Sequence, residues 1–265
     1  MHAKANQGLW LLRIDDIDSP RKMSGADTSI INTLESLGLH WDGNIDYQSQ
    51  HLEEYQNIID DLLKKDLVYP CYCNRKTLNS SGSAVYSGLC RHTNKQNIPY
   101  SLRIKSKSIS TRFNDELQGW QDSNFVDQHG DFIIKRKDNI TAYQLAVVID
   151  DHRHNINHVV RGFDLLDSTP KQIFLQKTLG YKTPNYCHFP VIIDQQGNKL
   201  SKQKCAQAAS TESPQNMLFL LLELLQQNPP KTLKKSSVEQ ILNWAIEHWQ
   251  SAPLKKMRAI NNKIN

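Results

Sequence analysis

The chain has 265 residues, with 32 Lys and Arg against 27 Asp and Glu, and a net charge of +5. Hydrophobic residues make up 38% and charged residues 22%, as in globular domains with a sizeable core. No apolar run is long enough to span a membrane, and the first residues lack the apolar segment of a secretory signal. The composition therefore predicts a cytoplasmic protein, and its small basic excess identifies no partner.

The N-terminal part alternates apolar runs with helical patterns. Leu9–Ile14 predicts a buried strand. Apolar residues recur at helical spacing over residues 30–37, where Gly38 is a natural stop, and again over residues 51–65. A short apolar run at 67–69 follows. This order of strand, helices and strand indicates an α/β domain.

Residues 70–140 have a different character, with clustered cysteines, short β-like pieces and a hairpin candidate over 132–143. We interpret this segment as a small insertion between two halves of one α/β domain. The sequence thus predicts four parts: residues 1–69, the insertion 70–140, the second half 141–210 and a helical C-terminal region 211–265.

The second half and the C-terminal region carry clear boundary signals. Ser168-Thr169-Pro170 predicts a helix start, and Phe189–Ile193 predicts one strand. Ser236 and Glu239 have the spacing of a capping box for a final helix. The polar tail from residue 251 predicts a frayed end.

Three of the five cysteines lie close together, at Cys71, Cys73 and Cys90. Such a cluster in a chain without an export signal favours a metal over disulfides, and structural zinc takes four ligands. The fourth position is open to Tyr86, His92 or a water. Spacing alone favours His92, because imidazole is a common zinc ligand. The alternative is a group of buried free thiols.

A second candidate motif is the run Lys199-Leu200-Ser201-Lys202-Gln203, which follows a turn containing Gly197. Two ammonium groups on such a loop can neutralise the charge that builds on a leaving pyrophosphate. Lys-rich turns are common on protein surfaces. Taken by itself, the run is therefore better explained as a solvated turn.

Several segments, in order, resemble the glutamyl-tRNA synthetase family of class I. Leu11–Asp18 is similar to the family's LRIEDxD strand, Val159–Gln172 to its VVRGxDLLxSTPRQ segment, and Lys199–Gln203 to its KMSKS loop. The match runs from residue 3 to about residue 250. The resemblance implies a Rossmann-type α/β catalytic domain, a small zinc-bearing insertion and a short helical C-terminal region.

Two features resemble a branch of that family that activates glutamate with ATP, without needing tRNA, and transfers it to the queuosine base of tRNA(Asp). Tyr143–His152 matches this branch, and the segment after Gln203 is too short for a long anticodon-binding region. The resemblance implies a monomeric ligase that uses glutamate, ATP with Mg²⁺, Zn²⁺ and queuosine-containing tRNA(Asp). The alternatives are a truncated glutamyl-tRNA synthetase and an inactive tRNA-binding relic.

The resemblance also assigns the metal and nucleotide sites. The residues that match the family's zinc ligands are Cys71, Cys73, Tyr86 and Cys90, which favours Tyr86 over His92. The residues that match its ATP-binding loop are Lys199, Leu200, Ser201, Lys202 and Gln203, with Lys199 and Lys202 in catalytic roles.

Three further residues match glutamate-binding positions: Asp15, Tyr143 and Arg161. A guanidinium binds a carboxylate in bidentate fashion, a phenol adds one hydrogen bond, and an acidic group holds an ammonium. Asp15 stands where the family usually has glutamate, which is one methylene longer. The structural alternatives are that Arg161 pairs with Asp164 and that Tyr143 belongs to the core.

The family's N-terminal signature has no counterpart in this sequence. Members begin with a strand similar to GRFAPSPSG and with HFGSL at a helix N-terminus, where backbone N–H groups favour phosphates. Residues 2–7 resemble the end of that helix. We therefore expect the 265-residue chain to be poorly stable and inactive in ATP–pyrophosphate exchange. A misassigned start, a fragment and a decayed gene are the competing explanations.

Overall fold

The computed structural model describes residues 1–18, 25–74, 77, 85–93, 95–107, 110–200 and 213–261. Its helices are α1 His2–Ala5, α2 Ala26–Ser36, α3 Leu52–Lys64, α4 Phe125–Gln128, α5 Tyr143–Arg153, α6 Thr169–Leu179, α7 Pro214–Leu224 and α8 Val238–Glu247. Short 3₁₀ helices cover Gln48–His51, Phe163–Ser168, Lys231–Lys235 and Ala252–Leu254. Among these described helices, none has the length and apolarity that crossing a membrane requires.

The strands pair into small sheets of mixed character. Two parallel pairs join β1 Arg13–Ile14 to β2 Asp46–Tyr47 and β10 Val191–Ile193 to β11 Ala259–Asn261. An antiparallel sheet has the order β3 Val68–Cys71, β4 Ser101–Ile104 and β7 Ile133–Lys135. The largest sheet has the order β6 Gly119–Asn124, β5 Ser110–Asp115, β9 Asn185–Phe189 and β8 His158–Gly162.

The predicted α/β class is confirmed, and the largest sheet shows how the second half is built. β8 and β9 run parallel over five residue pairs and are connected through α6. Such a strand–helix–strand crossover is the unit of Rossmann-type domains. β5 also pairs in parallel with β9, through Asp115 and Tyr186. One strand of the predicted insertion thus joins the sheet of the second half, and the division into four parts stays a prediction.

Three predicted β segments have different limits in the structure. The strand expected over Leu9–Ile14 contains only Arg13 and Ile14. The strand expected over Phe189–Ile193 is divided between two sheets at Pro190, because proline has no N–H to donate to a ladder. The hairpin candidate keeps β7 and a bridge from Lys135 to Thr141, and α5 begins directly afterwards.

Two predictions for the C-terminal region are wrong. The cap of α8 is Ser237, not Ser236: its hydroxyl accepts from the backbone N–H of Gln240 at 3.2 Å, and the Gln240 side chain accepts from the N–H of Ser237 at 3.0 Å. The capping box therefore lies one residue later than its sequence signature indicated. The tail from residue 251 is not frayed as far as the described residues extend, since β11 pairs with β10.

The main hydrophobic core joins all the segments around the antiparallel sheet. It contains Ile59 of α3, Ile104 of β4 and Ile134 of β7, all fully buried. Residues 145–149 of α5 are buried in succession, which explains their continuous apolar sequence. A second core packs Leu37 and Leu39, which follow α2, against α7 and α8. Gly38 follows the end of α2, as its sequence position predicted, and has the left-handed φ of +65° that is common there. It also allows close packing in the second core, because a Cβ there would lie 2.7 Å from a Val238 methyl carbon.

One buried carboxylate connects four segments of the chain. Asp150 of α5 is fully buried. It accepts hydrogen bonds from Gln48 Nε2 at 2.7 Å, Tyr55 Oη at 2.6 Å and Arg153 Nη2 at 2.9 Å. Arg13 Nε of β1 lies 3.6 Å from Oδ2, the oxygen that also accepts from Gln48. Because buried charge needs such partners, Asp150 fixes how β1, the first 3₁₀ helix and α3 meet α5.

We predict that Asp150→Asn strongly destabilises the protein. The amide keeps the shape of the side chain but leaves the cations beside it without their buried counter-charge. The free energy of unfolding, measured by urea denaturation, should fall by about 3 kcal/mol or more. Asp61→Asn is the matched control, because Asp61 pairs with Lys64 on the surface and should change stability by less than about 0.5 kcal/mol. Equal effects of the two substitutions would refute the anchoring role.

Candidate functional site

The three clustered cysteines come together at the end of β3. Their Sγ atoms all lie within 4.8 Å of one another, and Cys73 Sγ is 3.5 Å from Cys90 Sγ. A tetrahedral zinc ion with bonds of about 2.3 Å holds its sulfurs about 3.8 Å apart, whereas a disulfide bond is about 2.05 Å long. The cysteines are free thiols, and their spacing fits a metal ion.

Tyr86 completes this thiol cluster in the structure. Its hydroxyl lies 3.4 Å from Cys71 Sγ and 3.7 Å from Cys73 Sγ, and it accepts the backbone N–H of Cys90 at 3.0 Å. His92 does not join the described metal-ligating groups that gather with the three thiols. The geometry therefore supports Tyr86, which the family resemblance favoured, over His92, which the spacing favoured.

The surroundings of the thiols suit metal binding. Arg103 Nε donates to Cys71 Sγ at 3.2 Å, and its guanidinium lies 4.0 Å from the centre of the Tyr86 ring. Burial by itself would raise the pKa of the Cys90 thiol. Hydrogen bonds from the Tyr86 hydroxyl and from the backbone of Tyr72 outweigh this effect and lower the pKa to about 7. A thiolate near neutral pH is the form that zinc binds.

Asp131 anchors this cluster to the antiparallel sheet. Its buried carboxylate accepts from Tyr69 Oη at 2.5 Å, Arg91 Nη2 at 2.6 Å and the backbone N–H of Ser106 at 2.7 Å. Its carbonyl oxygen accepts from Arg103 Nη1 at 2.7 Å. Arg91 directly follows the third cysteine, so that the carboxylate holds both sides of the cluster. No local sequence signal indicates this role, because the partners of Asp131 are far apart along the chain.

We predict that the protein, purified without a metal-binding tag, contains zinc at the thiol cluster. Cys73→Ser should abolish binding there, since two thiolates and a phenol form an incomplete ligand set. Tyr86→Phe should weaken zinc affinity by about tenfold or more, whereas His92→Gln should leave it unchanged. Competition with a chromogenic chelator measures the affinity. An effect of His92→Gln equal to that of Tyr86→Phe would restore His92 as the fourth ligand.

Arg161 lies in β8 and is held by three neutral side chains and by the carbonyl oxygen of Leu165, which lies 3.4 Å from Nη2. Its Nε donates to His188 Nε2 at 3.0 Å, Nη1 to Gln172 Oε1 at 2.8 Å and Nη2 to Thr169 Oγ1 at 2.8 Å. In the described part of the chain, no carboxylate forms a salt bridge with it. The suggested pairing with Asp164 is thus not observed. The guanidinium is fixed in place while its charge stays available to an anionic ligand.

A buried carboxylate orients the histidine behind Arg161. His188 is fully buried, and its Nδ1 lies 2.6 Å from Asp115 Oδ2. Since Nε2 accepts from Arg161, these partners assign the ring proton to Nδ1. Burial by itself would raise the pKa of Asp115. Hydrogen bonds from His188 and from backbone amides outweigh this effect, so the pKa lies below its usual range. Asp115 therefore fixes the tautomer that Arg161 requires.

Asp15 belongs to a charge cluster that also reaches Arg161. Arg13 Nε donates to Asp15 Oδ1 at 2.7 Å, and Arg13 Nη1 donates to Asp151 Oδ1 at 2.9 Å. Burial raises the pKa of Asp151, and the nearby charges of Arg13 and Arg161 oppose this rise. Asp15 and Arg161 are thus linked through one partly buried acid.

Tyr143 is the first residue of α5 and remains 40% exposed, so it is not a core residue. The next side chain, Gln144, accepts from Gln172 Nε2 at 3.0 Å. Because Gln172 also holds Arg161, the start of α5 is tied to the arginine through a single side chain. The tyrosine is therefore accessible near a fixed cation.

The start of the lysine run is placed by the turn that follows β10. Lys199 forms a bridge with Ile193, and Gly197 supplies the positive φ, +79°, that the turn needs. Lys199 Nζ lies 2.5 Å from Asp164 Oδ2. The turn thus places Lys199 against Asp164, in the segment that follows β8. Leu200 is the next residue of the run. The predicted site residues Ser201, Lys202 and Gln203 lie outside the described residues.

Gly162 makes room for the carboxylate that Lys199 contacts. A Cβ at this position would lie 2.5 Å from Asp164 Oδ1. The Gly-x-Asp sequence at the end of β8 therefore has a steric reason, because any larger residue would push the carboxylate away from the lysine.

A comparison with protein families identifies this arrangement. The model described as tRNA synthetases class I (E and Q), catalytic domain, matches residues 1–229. The chain belongs to this family. Its members are ligases of the aminoacyl-tRNA synthetase type, and the family resemblance predicted from the sequence is confirmed.

Two individual relatives are similar to this chain over most of its length. A protein of Pseudomonas aeruginosa is 38% identical over 251 residues, which cover 95% of this chain and 85% of the relative. One of Colwellia psychrerythraea is 42% identical over 260 residues, covering 96% and 82%. Both are named glutamyl-Q tRNA(Asp) synthetase.

Solved class I synthetases share the fold. A glutamate tRNA ligase from Elizabethkingia meningosepticum, in complex with its amino acid, superposes with a TM-score of 0.77 at 21% identity. A glutamate-tRNA synthetase from Elizabethkingia anophelis gives 0.78, also at 21%. They cover 97% and 99% of this chain, whereas the chain spans only 61% and 63% of theirs.

Proposed function

We propose that this chain activates glutamate with ATP, without requiring tRNA, and transfers the glutamyl group to the queuosine base of tRNA(Asp). The names of its relatives support this reading, and so does one feature of the structure. Arg161 is held rigidly by neutral groups and forms no salt bridge with a described carboxylate, although Asp151 lies near enough to feel its charge, as expected for a site that binds a substrate carboxylate. The proposal is that glutamate supplies this missing anion.

In the proposed complex, three residues hold the amino acid. Arg161 donates its remaining N–H, on Nη1, to a glutamate carboxylate, and the hydroxyl of Tyr143 adds a hydrogen bond. Arg13 holds Oδ1 of Asp15, and we assign the other oxygen to the substrate ammonium. The shorter reach of aspartate places the ammonium closer to β1 than glutamate at this position would. Opposite charges at the two ends then set the orientation of the substrate.

The proposed reaction proceeds in two transfers without a covalent enzyme intermediate. The α-carboxylate of glutamate attacks the α-phosphorus of ATP, the bond from that phosphorus to the bridging oxygen breaks, and pyrophosphate leaves. Mg²⁺ would neutralise phosphate charge. Lys199 and Lys202 neutralise the charge that develops on the leaving group. A hydroxyl of the queuosine ring then attacks the glutamyl carbonyl and releases AMP. Positioning and charge stabilisation supply the catalysis.

Zinc has a structural role in this proposal. Cys71, Cys73, Tyr86 and Cys90 hold the ion at the edge of the antiparallel sheet, within the predicted insertion of residues 70–140. A closed set of four protein ligands leaves no position for a reacting water. The ion would fix the cluster relative to Asp131 and the core.

The proposed function predicts glutamate-dependent ATP–pyrophosphate exchange and transfer of labelled glutamate to tRNA(Asp) that contains queuosine. The same tRNA lacking queuosine is the matched control and should receive none. Labelling of both tRNAs would favour a truncated glutamyl-tRNA synthetase. Binding of tRNA without any exchange would contradict the proposal in favour of a non-catalytic relic, in agreement with the inactivity expected from the sequence.

A second prediction concerns the residues behind Arg161 and does not depend on turnover. Asp115→Asn allows the amide to donate to His188 Nδ1, which moves the ring proton to Nε2, where it faces Arg161 Nε. Losing this charge-assisted hydrogen bond should weaken binding of a non-hydrolysable glutamyl-adenylate analogue by about tenfold or more. Asp122→Asn, on the exposed face of the same sheet, is the control and should bind normally. Calorimetry measures both, and equal affinities would contradict the role of Asp115.

A further inference from the structure

A second group of metal-ligating side chains gathers on the largest sheet, with no cysteine of the thiol cluster among them. Glu116 directly follows β5, His158 begins β8 and Cys187 lies in the middle of β9. Together with His2 of α1, their ligand atoms all lie within 4.8 Å of one another. We propose that Glu116, His158 and Cys187 bind a second transition-metal ion of the zinc class.

The sheet itself places these ligands together. Tyr186 of β9 pairs with Asp115 of β5 on one side and with Val159 of β8 on the other. Each ligand is the immediate neighbour of one of these paired residues. Side chains alternate between the two faces of a sheet, so all three ligands emerge on the face opposite Tyr186. The site is thus a product of the strand register.

The chemistry and spacing of the group suit zinc. A carboxylate, an imidazole and a thiol are all ligands that zinc accepts. His158 Nε2 is buried and has no hydrogen-bond partner among the described residues, yet it lies 3.4 Å from Glu116 Oε2. Two nitrogen or oxygen ligands about 2.1 Å from a tetrahedral ion lie about 3.4 Å apart. A metal ion would bond directly to this imidazole nitrogen, whose present contact with Glu116 is too long for a good hydrogen bond.

The remaining neighbours act as supports for the carboxylate. Ser251 Oγ donates to Glu116 Oε1 at 3.1 Å, which leaves Oε2 directed towards His158. Trp249 Nε1 donates to His2 Nδ1 at 3.1 Å and so assigns the proton of His2 to Nε2, which lies 3.7 Å from Glu116 Oε2. The Nε2–H of His2 therefore faces the ligating carboxylate without bonding to it, and a water would complete the four positions.

Bound metal at this site would connect three strands whose ligands are far apart in the sequence. Because the ligands assemble only in the folded chain, the ion would bind the native state and stabilise it. The site uses no residue assigned to glutamate, ATP or the thiol cluster, so it stands independently of the proposed enzymatic function.

Native mass spectrometry of the tag-free protein, equilibrated with a small excess of zinc, counts the ions per chain. We expect two in the wild type, and one each in Cys187→Ser, in His158→Gln and in the double variant Cys71→Ser/Cys73→Ser. His129→Gln is the matched control, because His129 Nε2 is likewise buried without a partner but lies outside the group. This variant should keep both ions. A single ion in the wild type, or two ions in His158→Gln and Cys187→Ser, would overturn the proposal.

A thermal measurement covers the case in which a substitution disturbs folding. In the Cys71→Ser/Cys73→Ser background only the second site remains, and zinc should raise its melting temperature by several degrees. Adding Glu116→Gln, at an exposed carboxylate, should abolish this rise while leaving the metal-free melting temperature nearly unchanged. A rise of the same size in both proteins would show that zinc binds elsewhere.

Discussion

The buried carboxylate of Asp150 is the constraint on which the rest of the structure depends. It is a charge in the core, and it stays there because donors from a 3₁₀ helix, α3, α5 and β1 surround it. The cation of β1 that approaches Asp150 is Arg13, which also contacts Asp15 and Asp151. The buried Asp150 therefore helps to position Asp15, the proposed ammonium-binding residue, because Arg13 contacts both of these carboxylates as well as Asp151.

The same arrangement recurs at the other two sites. Asp131 orients Arg91 beside the thiols, and Asp115 orients His188 behind Arg161. In each case a buried carboxylate orients a hydrogen-bonding side chain. Arg91 directly follows Cys90 of the thiol cluster, and His188 contacts Arg161. Charged hydrogen bonds in a low-dielectric interior are strong and directional, so they hold a site more rigidly than apolar contacts do. The polar residues of this core are thus part of the functional geometry.

The sequence predicted features that depend on local pattern. The α/β class, the stop at Gly38 and the grouping of three cysteines follow from periodicity, a left-handed turn and short spacing. It could not predict pairings made by folding, such as Asp115 with His188, which are 73 positions apart. The fourth neighbour of the thiols also escaped spacing arguments, because chain geometry brings Tyr86 rather than His92 to them. Proline could have indicated the strand break at position 190, because it lacks an N–H. The apolar residues on both sides instead favoured one continuous strand.

The contact between Lys199 and Asp164 has a consequence for how a nucleotide would engage the loop. In this structure the ammonium already has a carboxylate partner, Asp164, for which Gly162 leaves room. A phosphate that recruits Lys199 must replace that carboxylate, so the net electrostatic gain is the difference between two ion pairs. Such an exchange costs little in either direction. In the proposed reaction, Lys199 would exchange Asp164 for a phosphate and return to Asp164 once the pyrophosphate has dissociated.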